Sequence, residues 1–188
     1  PTVVTYVIVS TANGCSNTGE NVTVTVQPVP AVNVVANQAL CNGSSTAAVT
    51  FGGVATQYNW INDTPTIGLS ASGTGNIASF TALNTGTSPV TATITITPVY
   101  NGCTGATGTF TITVNPTPVL TSTLTPTAIC SGTSFSYTPT SATAGTTYAW
   151  TRAAVGGIRQ AEGGGTGESD ELVTNRTVLK MSVVYNIV

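Results

Sequence analysis

Side chains able to do chemistry are few in this sequence, and their spacing argues against most reactions. Four cysteines stand at 15, 41, 103 and 130, separated by 26, 62 and 27 residues, with no C-x-x-C pair and no histidine. A tetrahedral zinc site is therefore poorly served, and every Ser-His-Asp or Cys-His pairing is excluded. The six acidic and four basic side chains are unevenly placed. Arg152, Arg159, Arg176, Lys180, Glu162, Glu168, Asp170 and Glu171 all follow residue 151, while the first 151 residues hold only Glu20 and Asp63. Two carboxylates from Glu162, Glu168 and Asp170 could in principle work as a glycosidase acid and base. They flank Gly163-Gly164-Gly165-Thr166-Gly167, a run expected to be too mobile to preorganise them, so a solvated loop is the expectation. Glu168, Asp170 and Glu171 are the oxygen donors on offer to a calcium ion, which tolerates flexible ligands. No catalytic residue and no cofactor is expected.

Composition narrows the field further. Charged residues make up 5% of the chain and the net charge is -2, against about 25% charged in ordinary domains. That leaves too little Lys and Arg for a nucleic-acid partner or a basic membrane-surface patch. With 40% apolar residues the chain should fold. No apolar run is long enough for a membrane helix, so membrane insertion is not expected, and the first residues lack the basic start of a signal peptide. The Gly163–Gly167 run lacks the lysine of a phosphate loop. Asn21-Val22-Thr23, Asn42-Gly43-Ser44, Asn62-Asp63-Thr64 and Asn175-Arg176-Thr177 match the glycosylation pattern, as a chain this rich in Asn and Thr does by chance.

The elements that must position these residues are strands. There are 39 threonines, and they alternate with Val, Ile or Phe in Val22–Val26, Val90–Thr97 and Phe110–Val114. Such alternation marks half-buried strands, and threonine keeps the β-branched shape while offering a hydroxyl to water. The sequence also repeats itself. Asn13-Gly14-Cys15 returns as Asn101-Gly102-Cys103, Val22–Val32 as Phe110–Leu120, Leu40-Cys41-Asn42-Gly43 as Ile129-Cys130-Ser131-Gly132, Tyr58-Asn59-Trp60 as Tyr148-Ala149-Trp150, and Gly73-Thr74-Gly75 as Gly165-Thr166-Gly167, at offsets of 88 to 92. A period of about 90 residues suits one β-sandwich of immunoglobulin type.

Pro28-Val29-Pro30 and Pro116-Thr117-Pro118 end alternating strands, because proline cannot donate to a ladder, and they make short extended linkers. The expectation is thus an all-β chain of tandem repeats joined by Pro-x-Pro: the last strands of one repeat in 1–27, a complete repeat in 28–115, and the first part of another in 116–188. Strands are predicted near 31–36, 46–51, 56–61, 76–81, 90–98 and 106–114, with a weaker one near 67–71. Trp60 and Trp150 fall where such sandwiches bury an aromatic. One Leu/Ile-Cys-x-Gly and one Asn-Gly-Cys per repeat point to a bridge from Cys41 to Cys103, with the partners of Cys15 and Cys130 beyond the ends of the chain. Bridges between neighbouring repeats and free thiols stay open, because Cys41 and Cys103 can fall at opposite ends of a sandwich and a bridge needs Cα atoms within about 7 Å.

Ile129-Cys130-Ser131-Gly132, Ser136 to Ser141, Ala144 to Val155 and Gly165-Thr166-Gly167, with Asn-Gly-Cys, an alternating Thr strand and Pro-x-Pro, resemble the PKD-like repeats of very long Bacteroidetes surface proteins. Proteins of this kind are similar to the giant gliding-motility adhesins exported by the type IX secretion system. The resemblance implies an extracellular, outer-membrane-attached stalk. Its implied partners are external surfaces or polysaccharide, neighbouring repeats of the same chain, and outer-membrane motility or secretion proteins. Such repeats also serve as spacers in secreted polysaccharide-degrading enzymes, where a carbohydrate-binding role would call on Tyr6, Tyr58, Tyr100, Tyr148 and Tyr185. A further reading is strand addition of a partner at an exposed edge.

Overall fold

A computed structural model describes residues 1–188. The regular elements are strands apart from one 3-10 turn, and the chain forms two compact units, residues 1–85 with 89–115 and residues 86–88 with 116–188.

The first unit begins with a hairpin. Strand β1 (Thr2–Ile8) runs antiparallel to β4 (Glu20–Val26) with Val4 opposite Val24. Between them β2 (Thr11–Ala12) and β3 (Cys15–Ser16) flank Asn13-Gly14, whose φ angles of 50° and 80° are those of the tight hairpin turn that Asn-Gly favours. Asn101-Gly102 repeats this turn with φ of 44° and 85°. Every residue of β1 and β4 is exposed.

A sandwich follows. Strands β5 (Gln38–Cys41), β6 (Gln57–Asn62), β7 (Ser72–Thr74), β8 (Val90–Tyr100), β9 (Cys103–Thr104) and β10 (Gly108–Asn115) form one sheet in the order β5-β10-β8-β6-β7, with β9 folded back on β8. Alternation dictates its core. Ala92, Ile94, Ile96, Phe110, Ile112 and Val114 point inward and are at most 2% exposed, while the threonines between them face out. The facing layer carries Val49, Phe51, Ile77 and Ala82 into the same cluster. It is held by the isolated pairs Ser45↔Thr81 and Val49↔Ile77 and by bonds from the Ala31 and Asn33 amides to the Val54 and Gly52 carbonyls. The segments predicted as strands near 31–36, 46–51 and 76–81 are therefore extended but only intermittently paired. Residues 67–71 are not a strand. Pro65 opens the turn Pro65–Ile67, and Gly68 closes it at φ 97° while Ile67 plugs the core.

The repeated Trp and Gly-Thr-Gly motifs are one contact. Trp60 lies opposite Gly73 across β6–β7, and a methyl on Gly73 would collide with the indole.

The second unit has a two-stranded and a three-stranded sheet. Strand β11 (Thr133–Tyr137) pairs with β14 (Ser169–Val173), while β12 (Ala149–Arg152) lies between β13 (Gly163–Thr166) and β15 (Tyr185–Ile187). Trp150 faces Gly165 as Trp60 faces Gly73, and it faces Ile187 as Trp60 faces Ile96. The glycine run expected as a solvated loop is thus strand β13. Its missing side chains make room for the Trp150 ring, which stands within 3.4 Å of where a Gly165 methyl would sit.

Candidate functional site

The outer face of the sandwich is a field of hydroxyls. Strand alternation puts Thr91, Thr93, Thr95 and Thr97 of β8 beside Thr109, Thr111 and Thr113 of β10, in the cross-strand pairs Thr91↔Thr113, Thr93↔Thr111 and Thr95↔Thr109. The Thr91 and Thr113 hydroxyls bond at 2.9 Å. Gln57 and Asn59 extend the face onto β6, their side-chain amides 2.6 Å apart. The one ionisable neighbour is Asp63. Its carboxylate accepts from the Thr93 amide at 2.8 Å and the Thr64 hydroxyl at 2.9 Å, and those bonds hold its pKa below 3.8. This surface can offer hydrogen bonds, in both directions, to a polar partner. It offers no acid-base pair.

Ionic chemistry sits in the second unit. Arg152 is 2% exposed, and its guanidinium grips Glu171 in a two-point pair, Nε to Oε2 at 2.8 Å and Nη2 to Oε1 at 2.5 Å. One hydrogen of Nη1 reaches the carbonyl of Ala153, and the second of Nη2 that of Ala161. The Tyr185 hydroxyl donates to Glu171 Oε2 at 2.8 Å, and its ring packs on Phe135 and Trp150 with centroids 4.9 and 5.6 Å away. The bond to Arg152 lowers the Glu171 pKa, the same bond raises that of Arg152, and burial together with the Glu171 charge pushes the Tyr185 phenol well up. Four of the five guanidinium N–H groups and the Tyr185 hydroxyl bond within the unit, so the cluster is a rivet in the fold. Sequence reasoning missed it because the three residues lie 19 and 14 positions apart on different strands. A lone buried-type arginine on a strand, in a chain with four basic residues, was the available signal.

That rivet also corrects the calcium set. Asp170 and Glu171 are successive in β14 and point to opposite faces, Glu171 is committed to Arg152, and Glu168 accepts from the Ser136 hydroxyl at 2.6 Å. Glu168, Asp170 and Glu171 do not converge, and no group of three acidic or cysteine residues is placed to hold a metal. Trp60 is buried at 7%, and Trp150 is half-buried against Tyr185. Of the tyrosines named for a carbohydrate platform, Tyr6 alone is well exposed, at 57%. Tyr58, Tyr100, Tyr148 and Tyr185 are half-buried.

The bridge from Cys41 to Cys103 is not formed. Cys41 closes β5 beside Asn115, at the Val90 end of β8, whereas Cys103 pairs with Tyr100 at the other end. Ten residues of strand separate those ends, about 33 Å at 3.3 Å per residue. All four cysteines are exposed free thiols. Alkylation of the denatured, unreduced chain should add four groups, and recovery of a Cys41–Cys103 linked peptide would contradict this placement.

Residues 34–118 match the family model described as a PKD-like domain. The span takes in strands β5 to β10 and reaches into the second Pro-x-Pro segment, so this part of the all-β chain is a PKD-like sandwich. Among solved structures, the crystal structure of chicken CNTN1 FN1-FN3 domains aligns with 98% of this chain and 70% of its own, at 12% identity and a TM-score of 0.26. No curated protein matches. No helix is long and apolar enough to cross a membrane.

Proposed function

We propose that the chain is a non-catalytic segment of an extracellular cell-surface adhesin, in which PKD-like sandwiches act as spacers and present a hydroxyl-rich face to external surfaces or polysaccharide. The observation that carries this reading is the way the sandwich 31–115 is entered and left. Buried Pro30 packs against Gly105 beside the β8–β9 turn, and Asn115 leaves beside Cys41 at the opposite end of the long strands. A module with entry and exit at opposite ends adds its length to a series, about 27 Å for the eight residues of β10. Pro-x-Pro segments keep such a series extended. Attachment to the outer membrane, export by a type IX route and service in gliding belong to the same proposal and rest on the sequence resemblance.

Adhesion through threonine hydroxyls and side-chain amides differs from ionic adhesion in its response to salt, because few charges are there to screen. Beads coated with the chain should therefore hold to glass or polysaccharide equally at low and high salt, and Asp replacements at Thr93 and Thr111 should weaken the hold. Binding that collapses with salt, or that ignores those replacements, would refute the role of this face.

A further inference from the structure

Asn-Gly occurs three times in the chain, at 13–14, 42–43 and 101–102. The pair is chemically labile. An asparagine side-chain amide can be attacked by the backbone nitrogen of the next residue, and when that residue is glycine no Cβ obstructs the five-membered ring that forms. The sandwich holds two of the three pairs, Asn42-Gly43 and Asn101-Gly102, and treats them oppositely.

Asn42-Gly43 is tied down at both reacting groups. The Asn42 Oδ1 accepts from the Asn84 amide at 2.8 Å, and the Gly43 nitrogen, which would be the nucleophile, donates to the Ala82 carbonyl at 2.8 Å. The Asn42 backbone N–H is also bonded, to the Asn115 carbonyl at 2.8 Å, and the residue is half-buried. Asn101-Gly102 is instead the exposed tip of the β8–β9 turn. Its Gly102 nitrogen and Asn101 side-chain amide make no hydrogen bond, and Asn101 is held only through its backbone N–H, which donates to the Thr56 hydroxyl at 3.4 Å. Asn101 stands at φ 44°, a left-handed conformation that residues with a Cβ resist, so leaving it to bring Cγ over the Gly102 nitrogen meets little opposition.

We propose that Asn101 is a site of spontaneous deamidation, and that the fold of the sandwich directs the reaction there and away from Asn42. The Gly102 nitrogen gives its proton to hydroxide and bonds to Asn101 Cγ; the Cγ–Nδ2 bond breaks and ammonia leaves, giving a cyclic imide. Water then adds to one of the two imide carbonyls and opens the ring, to aspartate or to isoaspartate, in which the main chain runs through the side-chain carbon. Nothing is oxidised or reduced.

The place of the turn gives the reaction a consequence. Isoaspartate lengthens a two-residue turn by one backbone carbon, and the length of the loop sets the register of a hairpin. That register, Val99↔Thr104 and Tyr100↔Cys103, carries β9 into Gly105, whose nitrogen donates to the Pro98 carbonyl at 3.0 Å. Gly105 lies against Pro30, so closely that a methyl on it would strike the Pro30 carbonyl. Deamidation therefore loosens, with age, the seat of the first Pro-x-Pro segment on the sandwich. It also adds a carboxylate to residues 28–115, which otherwise hold only Asp63. This is independent of what the threonine face binds.

Peptide mass spectrometry on the native chain, kept warm at mildly alkaline pH and sampled over time, tests it. The peptide carrying Asn101 should gain the amide-to-acid mass difference at least about tenfold faster than the peptide carrying Asn42, where two hydrogen bonds must first be given up. In denaturant the two rates should converge, which separates the effect of the fold from that of the local sequence. Hydrogen exchange at the Gly105 amide should quicken as the native chain ages and stay constant in Asn101→Gly, which suits the left-handed position and has no side-chain amide to react. Equal rates at the two sites in the folded chain, a gap that persists in denaturant, or Gly105 exchange that quickens with age as much in Asn101→Gly would each overturn the inference.

Discussion

Ile112→Ala should destabilise the sandwich by about 2–5 kcal/mol, whereas Val24→Ala, at the matching position 88 residues earlier, should shift it by less than about 0.5 kcal/mol. The two residues share a register and a place in the alternation, and they differ in what covers them. Ile112 is fully buried among Ile94, Phe110 and the facing layer, so deleting its branches leaves a cavity that the close-packed core cannot close. Val24 is 47% exposed and leaves no cavity. Urea unfolding followed through Trp60, in a chain whose Trp150 is replaced by Phe, reads the sandwich alone. Equal losses from the two substitutions would mean that the hairpin is part of the sandwich core.

This pairing also shows what the sequence could and could not disclose. Period-2 alternation locates β8 and β10 because each turns one face to the core and one to water, and β6 follows from its Trp. The same alternation in β4 reads as equally buried, since a pattern records which face is apolar and not whether anything packs on it. Strand β5 was missed because Gln-Ala-Leu-Cys does not alternate clearly and is fixed by its parallel partner Ile112–Asn115, 74 residues away. Gly163–Thr166 reads as a loop because a run of glycines is expected to be mobile. Here the absent side chain is what the Trp150 ring requires. The cysteine spacing was legible, and its meaning was not, because one cysteine per motif says nothing about which end of the strand each motif occupies.

Removing the carboxylate of Glu171 should have the largest effect on the second unit. Glu171→Gln leaves the Arg152 guanidinium, whose side chain is 1% exposed, without its counter-charge, a loss of about 3–5 kcal/mol for a buried ion pair with one partner removed. The joint change Arg152→Met with Glu171→Leu should recover most of that loss, because the pair's attraction is largely offset by the desolvation of both ions. Hydrogen exchange over Ala149–Arg152 and Ser169–Val173 reports the unit directly. Protection that falls in the single variant and returns in the double one is the expected result; a single variant as protected as the native chain would show that the rivet does not hold these strands.

The pH dependence follows from the same three groups. Glu171 is held below its ordinary value of 4.5, so its contribution is complete above that pH and is lost as pH falls through the lower folded value. Tyr185 is held above its ordinary value of 10.0, so its contribution is present below that pH and is lost as the solution becomes more alkaline, where unfolding releases the phenol to ionise. Protection of β12 and β14 should therefore be flat between these limits and fall on both sides. Tyr185→Phe should abolish the alkaline fall while leaving the acid one, and Glu171→Gln should flatten the acid one. A Tyr185→Phe chain that still loses β12 and β14 at high pH would assign the alkaline fall to another group and detach the tyrosine from the rivet.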